Sequence, residues 1–566
     1  MPHLMKTPKN LRWFASFLSV ALVVTVILIA IGPSDPCVEA ASPYAGLPLA
    51  DFTVDNFTGS GQCAMCHGNL RDDGGTDVSI DTHWRSTMMA NSARDPFWQA
   101  KVSSEITRNP ALRDIIVDKC ATCHTPMART QATFNQSPVS LFDDGFLDPR
   151  HPLHGAASDG VSCTLCHQVR NGHFGEKESF SGHYVIDGTT PPPDRLIFGP
   201  YPNPVQNMMR NNVGFTPVKG GHVQEASLCA TCHTLYTPYI DEKGTVRGEF
   251  PEQTPYLEWE ESDYSNDAKG VKTCQDCHMP EAQGAVAISN RPRRGLSRRS
   301  PFSKHYFVGG NLFMLKLLSD HGEDLALTAS SADMSATMVR TRDQMEKATA
   351  RLTVTDIRYE DNTLYFTMRV ENRAGHKIPT GFPSRRAWIH LSVTDVDGNI
   401  IFESGRPRDN GSISGNAADI TQNVYEPHYV RINSEEQVQI YEAIMTDSGG
   451  AVTYTLLHAA DYAKDNRLLP RGFDKRRVAP DVAVKGNAVT DGDFIGGEDR
   501  ILYEIVTAGH KAPFILSARF LYQSLSNSFA RDLFRDGTGE EKRFQTYYNA
   551  ASGEPVVITR LTKEIL

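Results

Sequence analysis

One short pattern recurs five times in this chain: two cysteines two residues apart, followed directly by a histidine. The pattern takes ten of the 11 cysteines, and only Cys37 is left over. Any fold of this chain must therefore present five thiol pairs, each with an adjacent imidazole. The pairs are Cys63/Cys66, Cys120/Cys123, Cys163/Cys166, Cys229/Cys232 and Cys274/Cys277, and the histidines are His67, His124, His167, His233 and His278.

This spacing predicts the covalent attachment of five c-type haems. The two thiols add to the two vinyl groups of a haem, and the adjacent histidine becomes the proximal ligand of the iron. Disulfides are a poor explanation, because cysteines this close make poor structural bridges and need no fixed histidine. Zinc ribbons use two cysteine pairs for each metal, and an odd number of pairs does not fit them.

The first 40 residues differ from the rest. Basic residues precede an uncharged apolar run over 13–31, and Val38-Glu39-Ala40 offers the small residues that a signal peptidase needs. We expect an export signal that is cut after Ala40, or an uncleaved N-terminal anchor, since the run is long enough to span a bilayer. A periplasmic or extracellular location follows, because c-type haem is attached after export.

Composition narrows the expected partners. The formal charge of −10 leaves no basic surface of the kind that nucleic acid requires. We expect redox partner proteins, including other cytochromes, and membrane association only through residues 1–40.

The five motifs lie between residues 63 and 278, which gives each haem little polypeptide of its own. Small units cannot bury a sufficient hydrophobic core, so the haems are expected to stack and to form much of the core themselves. The segment is rich in glycine and proline, which predicts a loop- and helix-rich domain over 41–320. A helix is predicted over 97–118, with an interruption at Pro110.

The character of the sequence changes after a predicted helical connector at 321–350. Helical spacing over 312–318 and 331–352 gives way to alternating apolar and polar residues. We predict an antiparallel β-sandwich domain over 351–566, and so an α+β multidomain fold. The predicted strands are 351–357, 363–371, 387–395, 400–403, 438–446, 451–457, 501–506 and 514–521, with a hairpin turn at 397–399.

Electron-transfer haems usually carry a second axial ligand, and 14 of the 19 histidines lie outside the motifs. The predicted distal ligands are His83, His154, His222, His305 and His376. His151, His173, His183 and His321 are held in reserve, while Met88, Met89, Met127 and Met279 are more typical of packing.

An arginine cluster lies between the last motif and His305. Cations there would suit haem propionates, and a solvated basic loop explains them equally well. The cluster comprises Arg291, Arg293, Arg294, Arg298 and Arg299.

Three segments resemble the multihaem cytochromes related to cytochrome c554, the electron acceptor of hydroxylamine oxidation. The resemblance covers roughly residues 55–310 and implies that most haems carry two histidine ligands while one can be five-coordinate. The five motifs exceed the four of cytochrome c554, so its ligand set is not transferred as a whole. The segments are Cys63-Ala-Met-Cys66-His67 with His83, Gly160-Val161-Ser162-Cys163-Thr-Leu-Cys166-His167, and Cys274-Gln-Asp-Cys277-His278-Met279-Pro280.

A looser resemblance concerns the start of the predicted β domain. The segment Gly375–Gly381 is similar to ones in large exported cytochromes of anaerobic, metal- or sulfur-respiring bacteria. It predicts a rigid turn that presents His376 to the haem domain.

These features favour an electron carrier of an extracytoplasmic respiratory chain, of the kind used in anaerobic respiration. An oxidoreductase with one open haem, acting on a small nitrogen or sulfur compound, stays as the alternative. Every motif ends in histidine, and none has the lysine replacement that resembles the active-site signature of pentahaem nitrite reductases. A subunit of an extracellular haem filament is a third hypothesis that the sequence does not test.

Overall fold

The computed structural model describes residues 43–292 and 295–566. The predicted export segment, its cleavage after Ala40, and Cys37 lie outside the described residues, as do Arg293 and Arg294. Among the residues that the structure describes, no helix is both long and apolar enough to cross a membrane.

Short helices dominate the first half of the described chain, and two more lie near its C-terminus. The helices are α1 Ser60–His67, α2 Ile80–Arg85, α3 Pro96–Arg108, α4 Arg113–His124, α5 Pro126–Phe134, α6 His154–Ser158, α7 Cys163–Cys166, α8 Gln206–Val213, α9 Ala226–His233, α10 Pro255–Glu260, α11 Cys274–His278, α12 Leu312–Asp320, α13 Ser331–Ala348, α14 Asn527–Leu533 and α15 Gly539–Ala550.

The strands in the motif-bearing half are few and short. They are β1 Leu196–Gly199, β2 Thr216–Lys219, β3 Leu235–Ile240, β4 Val246–Gln253, β5 Val286–Ala287 and β6 Arg298–Arg299. They pair only two by two, β1 with β2 in parallel, β3 with β4 and β5 with β6 antiparallel. This half is therefore loop- and helix-rich, as predicted, with small added hairpins.

Pro110 divides the helix predicted over 97–118 into α3 and α4. The proline lacks the N–H that an unbroken helix would need at that position. A single 3₁₀ turn at Pro110–Leu112 joins the two helices. At the start of α3, the Asp95 side chain accepts hydrogen bonds from the backbone N–H groups of Phe97 and Trp98.

Two larger sheets form the C-terminal half. Their strands are β7 Ala350–Glu360, β8 Thr363–Asn372, β9 Arg386–Thr394, β10 Ile400–Ser404, β11 Arg431–Ile432, β12 Ile440–Thr446, β13 Asp461–Asp465, β14 Glu498–Val506, β15 Phe514–Gln523 and β16 Val556–Ile565. One sheet has the order β13-β12-β9-β15-β16, with β10 also paired to β9, and the other has the order β11-β14-β8-β7. All neighbours are antiparallel except β11 and β14.

Alternate side chains of the long strands explain why the two sheets pack together. Along β8, every second residue is buried, from Leu364 to Val370, and β15 shows the same alternation. These side chains join those of β9 and β14 in one shared core. The predicted hairpin turn at 397–399 is confirmed between β9 and β10.

Several parts of the C-terminal half differ from the prediction. Residues 451–457 do not form a strand, because Val452 makes only an isolated bridge and the chain then enters a 3₁₀ turn at Leu456–His458. The strands β11, β13 and β16 and the helices α14 and α15 were not predicted. The α+β character is confirmed, while the boundaries at 320 and 350 stay predictions.

The two halves also share a core. A hydrophobic cluster joins Ala100 of α3 and Phe250 of β4 to Phe529 of α14 and Phe544 of α15. On the same side, Arg108 of α3 forms ion pairs with Asp532 at 2.6 Å and with Asp536 at 2.7 Å. The C-terminal helices therefore bind the motif-bearing half.

Candidate haem-binding site

Each motif lies at the end of a short helix. The helices α1, α4, α9 and α11 end at the motif histidine, and α7 ends one residue before it. Residues three and four apart lie on the same face of a helix, so the two cysteines and the histidine of a motif project to one side. The helix then stops, as at Thr125, whose backbone is not helical. Each motif thus presents two thiols and one imidazole on the same side of the end of its helix.

The five motifs line one continuous cavity of about 1550 Å³. A pocket for a single small ligand has about 300–1,000 Å³, so this volume suits several large groups or one assembly. The cavity is lined mainly by apolar atoms. We call residues 43–320 the motif half and residues 350–566 the sheet half. The cavity walls also include residues outside the motif half, among them Thr337 and Thr341 of α13 and His376, Arg385 and Tyr522 of the sheet half.

The thiols of different motifs approach one another in a fixed order. A hydrogen bond with Cys163 raises the pKa of Cys63, and one with Cys232 raises the pKa of Cys123. A hydrogen bond with Cys274 likewise raises the pKa of Cys229. The helices α1 and α7 are in contact, as are α9 and α11. The first motif therefore neighbours the third, while the fourth neighbours both the second and the fifth.

Backbone carbonyls fix the orientation of four of the five motif histidines. The Nδ1 atom lies 2.6 Å from the Ile288 carbonyl oxygen in His67 and 2.6 Å from that of Phe198 in His167. His124 makes the same contact with Ser92 at 3.2 Å, and His278 makes it with Val308. A neutral imidazole that donates from Nδ1 leaves a lone pair on Nε2. This is the arrangement that a metal-ligating histidine needs.

Burial keeps these imidazoles neutral. It lowers the pKa of His124 and His278 to about 4 and that of His305 to about 3. The pKa values of His67, His167 and His233 are also lowered by burial. A histidine must be deprotonated to bind a metal, so the imidazoles are in the ligating form at neutral pH. Next to His124, the Trp98 ring stacks at 4.6 Å and holds the imidazole plane.

Two of the predicted distal histidines face motif histidines across the cavity. The ring centroids of His167 and His305 lie 6.4 Å apart with an interplanar angle of 29°, and those of His278 and His376 lie 6.3 Å apart at 14°. A ligating nitrogen lies about 2 Å from its metal and about 1 Å from its ring centroid, so trans imidazoles have centroids about 6 Å apart. Both pairs have the separation that one iron between them requires.

The other three predicted distal ligands are placed differently. His83 is buried with its ring edge-on to Tyr306 at 4.6 Å, and burial lowers its pKa to about 4. The Nδ1 atom of His154 lies 3.0 Å from the Phe146 carbonyl oxygen, which leaves Nε2 to ligate. His222 instead places Nε2 2.9 Å from the Val169 carbonyl oxygen, so only Nδ1 is left. All five distal-ligand assignments stay predictions.

The reserve histidines have other contacts. His321 stacks on Tyr547 at 3.9 Å, His173 is exposed beside Glu176, and the Nδ1 atom of His151 accepts a hydrogen bond from the Leu153 backbone. Met127 is fully buried among side chains, which fits packing. Met88, Met89 and Met279 line the cavity.

The described members of the arginine cluster divide between two roles. Arg291 and Arg299 line the cavity, where a propionate could accept their hydrogen bonds. Arg298 forms an ion pair with Asp73 at 2.7 Å on the surface. The sequence alternatives for the cluster are thus both represented.

Buried charges near the second motif were not predicted from the sequence. Lys101 and Glu105 of α3 form an ion pair at 2.8 Å, and both line the cavity with Glu252 of β4. Burial raises the pKa of Glu252. The spacing of Lys101 and Glu105 was visible in the sequence, but their burial depends on packing against the C-terminal half.

A second group of ligand-type side chains lies inside the sheet half. His428, Asp491 and Asp499 are buried within reach of one another. The Nε2 atom of His428 lies 2.8 Å from Asp491, and its Nδ1 accepts from the Gln439 amide at 2.9 Å and the Asn466 amide at 3.1 Å. Since both ring nitrogens have hydrogen-bond partners, we assign this group to the structural core.

No protein-family model and no curated protein matches the chain. Among solved structures, it resembles the crystal structure of a penta-heme cytochrome c552 from Thermochromatium tepidum, with a TM-score of 0.50 and 15% sequence identity. The likeness covers 89% of this chain and 98% of that chain. The chain therefore has the fold of a multihaem cytochrome c. The share covered exceeds residues 1–320, so the likeness extends into the sheet half.

The residues present fit c-type haem. Five pairs of free cysteines are available for thioethers, and each adjoining histidine lies at the cavity wall. When bound, a haem supplies an iron that changes between two oxidation states. The chain would hold each haem by its thiol pair, orient four of the five proximal imidazoles through a backbone carbonyl, and exclude water with the apolar cavity wall.

Proposed function

We propose that this protein carries five covalently bound c-type haems and transfers electrons in an extracytoplasmic respiratory chain. The observation that carries the proposal is the single cavity onto which all five motifs open. A store of separate haems would not need a shared cavity, whereas electron transfer requires neighbouring redox centres. The fold shared with a penta-heme cytochrome supports the same conclusion.

The order in which the thiols of different motifs neighbour one another supports a path for electrons between the haems. Haem edges attached to neighbouring thiols must themselves be neighbours, so the first haem would lie beside the third, and the second and fifth beside the fourth. Burial raises the pKa of Cys166 of the third motif, and Cys232 of the fourth motif is near enough to raise it further. Electrons would pass between the first and fifth motifs through the third and fourth, with the second as a branch.

The imidazole pairs favour a carrier over an enzyme. His167 with His305, and His278 with His376, would each hold one haem iron, so that the chain would supply both of its protein ligands. Such an iron exchanges electrons without binding a substrate. The residues that line these positions therefore serve to hold the ligands and to keep water out.

The test uses the exported protein. We expect five haems per chain by haemochrome absorption, and rapid reduction of all five by a small reductant. His305→Ala should convert one haem equivalent from low-spin to high-spin, while His173→Ala, which changes an exposed histidine, should not. Fewer than five attached haems would contradict the cofactor proposal. A high-spin haem in the wild type that binds nitrite quickly would instead favour the oxidoreductase with one open haem.

The location and partners are part of the same proposal. Haem attachment after export, together with the apolar run over 13–31, supports a periplasmic or extracellular site with redox proteins as partners. Fractionation of cells that produce the full chain should place the haem outside the cytoplasm. Recovery of unmodified thiols in a cytoplasmic fraction would contradict this.

A further inference from the structure

A buried group of charged side chains lies directly behind His376. It comprises Glu258 of α10, Lys377, Asp465 of β13 and Arg467, and it joins the motif half to the sheet half. The Glu258 side chain is fully buried and that of Lys377 is equally inaccessible, while Asp465 and Arg467 are nearly so. Buried charges are costly unless they are paired, so each of these four must have a partner in place.

The pairing is complete within the group. Arg467 contacts Glu258 at 2.8 Å and Asp465 at 2.8 Å, and Lys377 contacts Asp465 at 2.7 Å. The two cations and two carboxylates balance in charge. Removing one partner from such a group is strongly destabilising, because a charge is left buried alone.

Glu258 also binds the backbone of the His376 segment. Its Oε2 atom accepts hydrogen bonds from the Lys377 backbone N–H at 3.1 Å and from the Thr380 hydroxyl at 2.6 Å. Lys377 in turn offers its carbonyl oxygen to Nδ1 of His376 at 2.9 Å. On the other side, the Asn372 amide donates to the His376 carbonyl oxygen at 2.9 Å. The turn is therefore held at both ends, and the ring orientation is fixed.

We propose that Glu258, together with Arg467, is a positioning residue that holds His376 at the distal side of the haem carried by the fifth motif. The inference rests on the proposed haem function, since His376 needs positioning only if it is a ligand. A carboxylate in the motif half thus sets the geometry of a ligand that the sheet half supplies. Without it, the 6.3 Å separation of His278 and His376 is not maintained.

The test compares variants at full haem content. His376→Ala is expected to produce one high-spin haem equivalent of five in the electron paramagnetic resonance spectrum. Glu258→Ala is expected to produce a large part of the same signal, and added imidazole is expected to remove it. Thr380→Val, which deletes one hydrogen bond to Glu258, should give a smaller fraction. Glu258→Asp should recover more low-spin haem than Glu258→Ala.

The control is Asp419→Asn, which breaks another buried ion pair of the sheet half, that of Arg386 and Asp419 at 2.9 Å. It should lower stability and leave every haem low-spin. A high-spin signal of equal size in this control, or none in Glu258→Ala, would overturn the positioning role. An unchanged spectrum in His376→Ala would overturn it too, since no ligand would then need positioning. Loss of haem from the wild type would instead overturn the proposed function.

Discussion

The motif half and the sheet half fill their interiors in different ways. Around the cavity of about 1550 Å³, the motif half buries its apolar side chains in three separate clusters of unequal size and in one cluster that it shares with the sheet half. The sheet half buries residues of β8, β9, β14 and β15 in one continuous core. Protein interiors are packed as densely as organic crystals, so the groups that this cavity would hold are expected to form part of the interior of the motif half. The sheet half specifies its own core, whereas the motif half depends on groups that its thiols attach.

The largest expected effect is the loss of the motif half when haem is withheld. A chain that lacks residues 1–40 and is made in the cytoplasm should keep free thiols. In that chain, amide hydrogen exchange should show α4 and α9 losing about 3 kcal/mol or more of protection, because the clusters around the cavity no longer touch a filled interior. The strands β8 and β15 should change much less. The exported holoprotein is the reference, and equal protection of both halves without haem would refute the comparison.

A substitution in the core of the sheet half should instead destabilise that half and leave the haem sites unchanged. Phe366 is fully buried in β8 and stacks on Tyr503 at 5.2 Å. Phe366→Ala should lower the free energy of unfolding by about 3–5 kcal/mol, because it leaves a cavity in a packed core. The haem absorption spectrum should be unchanged in the folded protein. Denaturation followed by circular dichroism measures the first quantity, and spectra before denaturation measure the second.

The matched control is Phe134→Ala in α5, where the ring is 46% exposed. It should cost less than about 1 kcal/mol. A shifted haem spectrum in Phe366→Ala would show that the sheet core and the haem sites are coupled more closely than the two interiors suggest.

The part of the site that could be predicted from the sequence is the part encoded locally. Two cysteines and a histidine within five residues carry their chemistry wherever the chain folds, and the alternation in β8 and β15 likewise predicts strands. Which histidine faces which motif depends on tertiary contacts. His305 follows the fifth motif in the chain but faces His167 of the third. Glu258 and Arg467 are 209 residues apart, and no local pattern links them.

Some misses had a visible local signal. The helix α15 begins at a capping box, in which Thr538 and Glu541 exchange hydrogen bonds with each other's backbone. The spacing of these two residues predicts a helix start, although the half around it is dominated by strands. The strand predicted at 451–457 is wrong although its local pattern is present, because a strand also needs a partner. Its alternation is real, but only Val452 has a bridging partner, opposite Thr446.

The smallest predicted effect is a change of stability with pH. It comes from buried carboxyl groups of the motif half. Asp95 caps α3 at the cavity wall, and burial raises its pKa to about 6, from about 4 in an unfolded chain. Asp95 therefore binds more protons in the folded state than in the unfolded state between these values, and its contribution to stability falls as pH rises from about 4 to about 6. Asp95→Asn keeps a good helix cap and removes the titration. Guanidinium unfolding of the holoprotein at pH 4.5 and 7 should show a decline in the free energy of unfolding that is about 1–3 kcal/mol smaller in the variant.

Asp159 is a second buried carboxyl of the motif half, and burial also raises its pKa to about 6. The double variant with Asp159→Asn should therefore reduce the decline further by a similar amount. An unchanged decline in the double variant would place the titrating groups elsewhere and remove these two buried carboxyls as the source of the pH dependence.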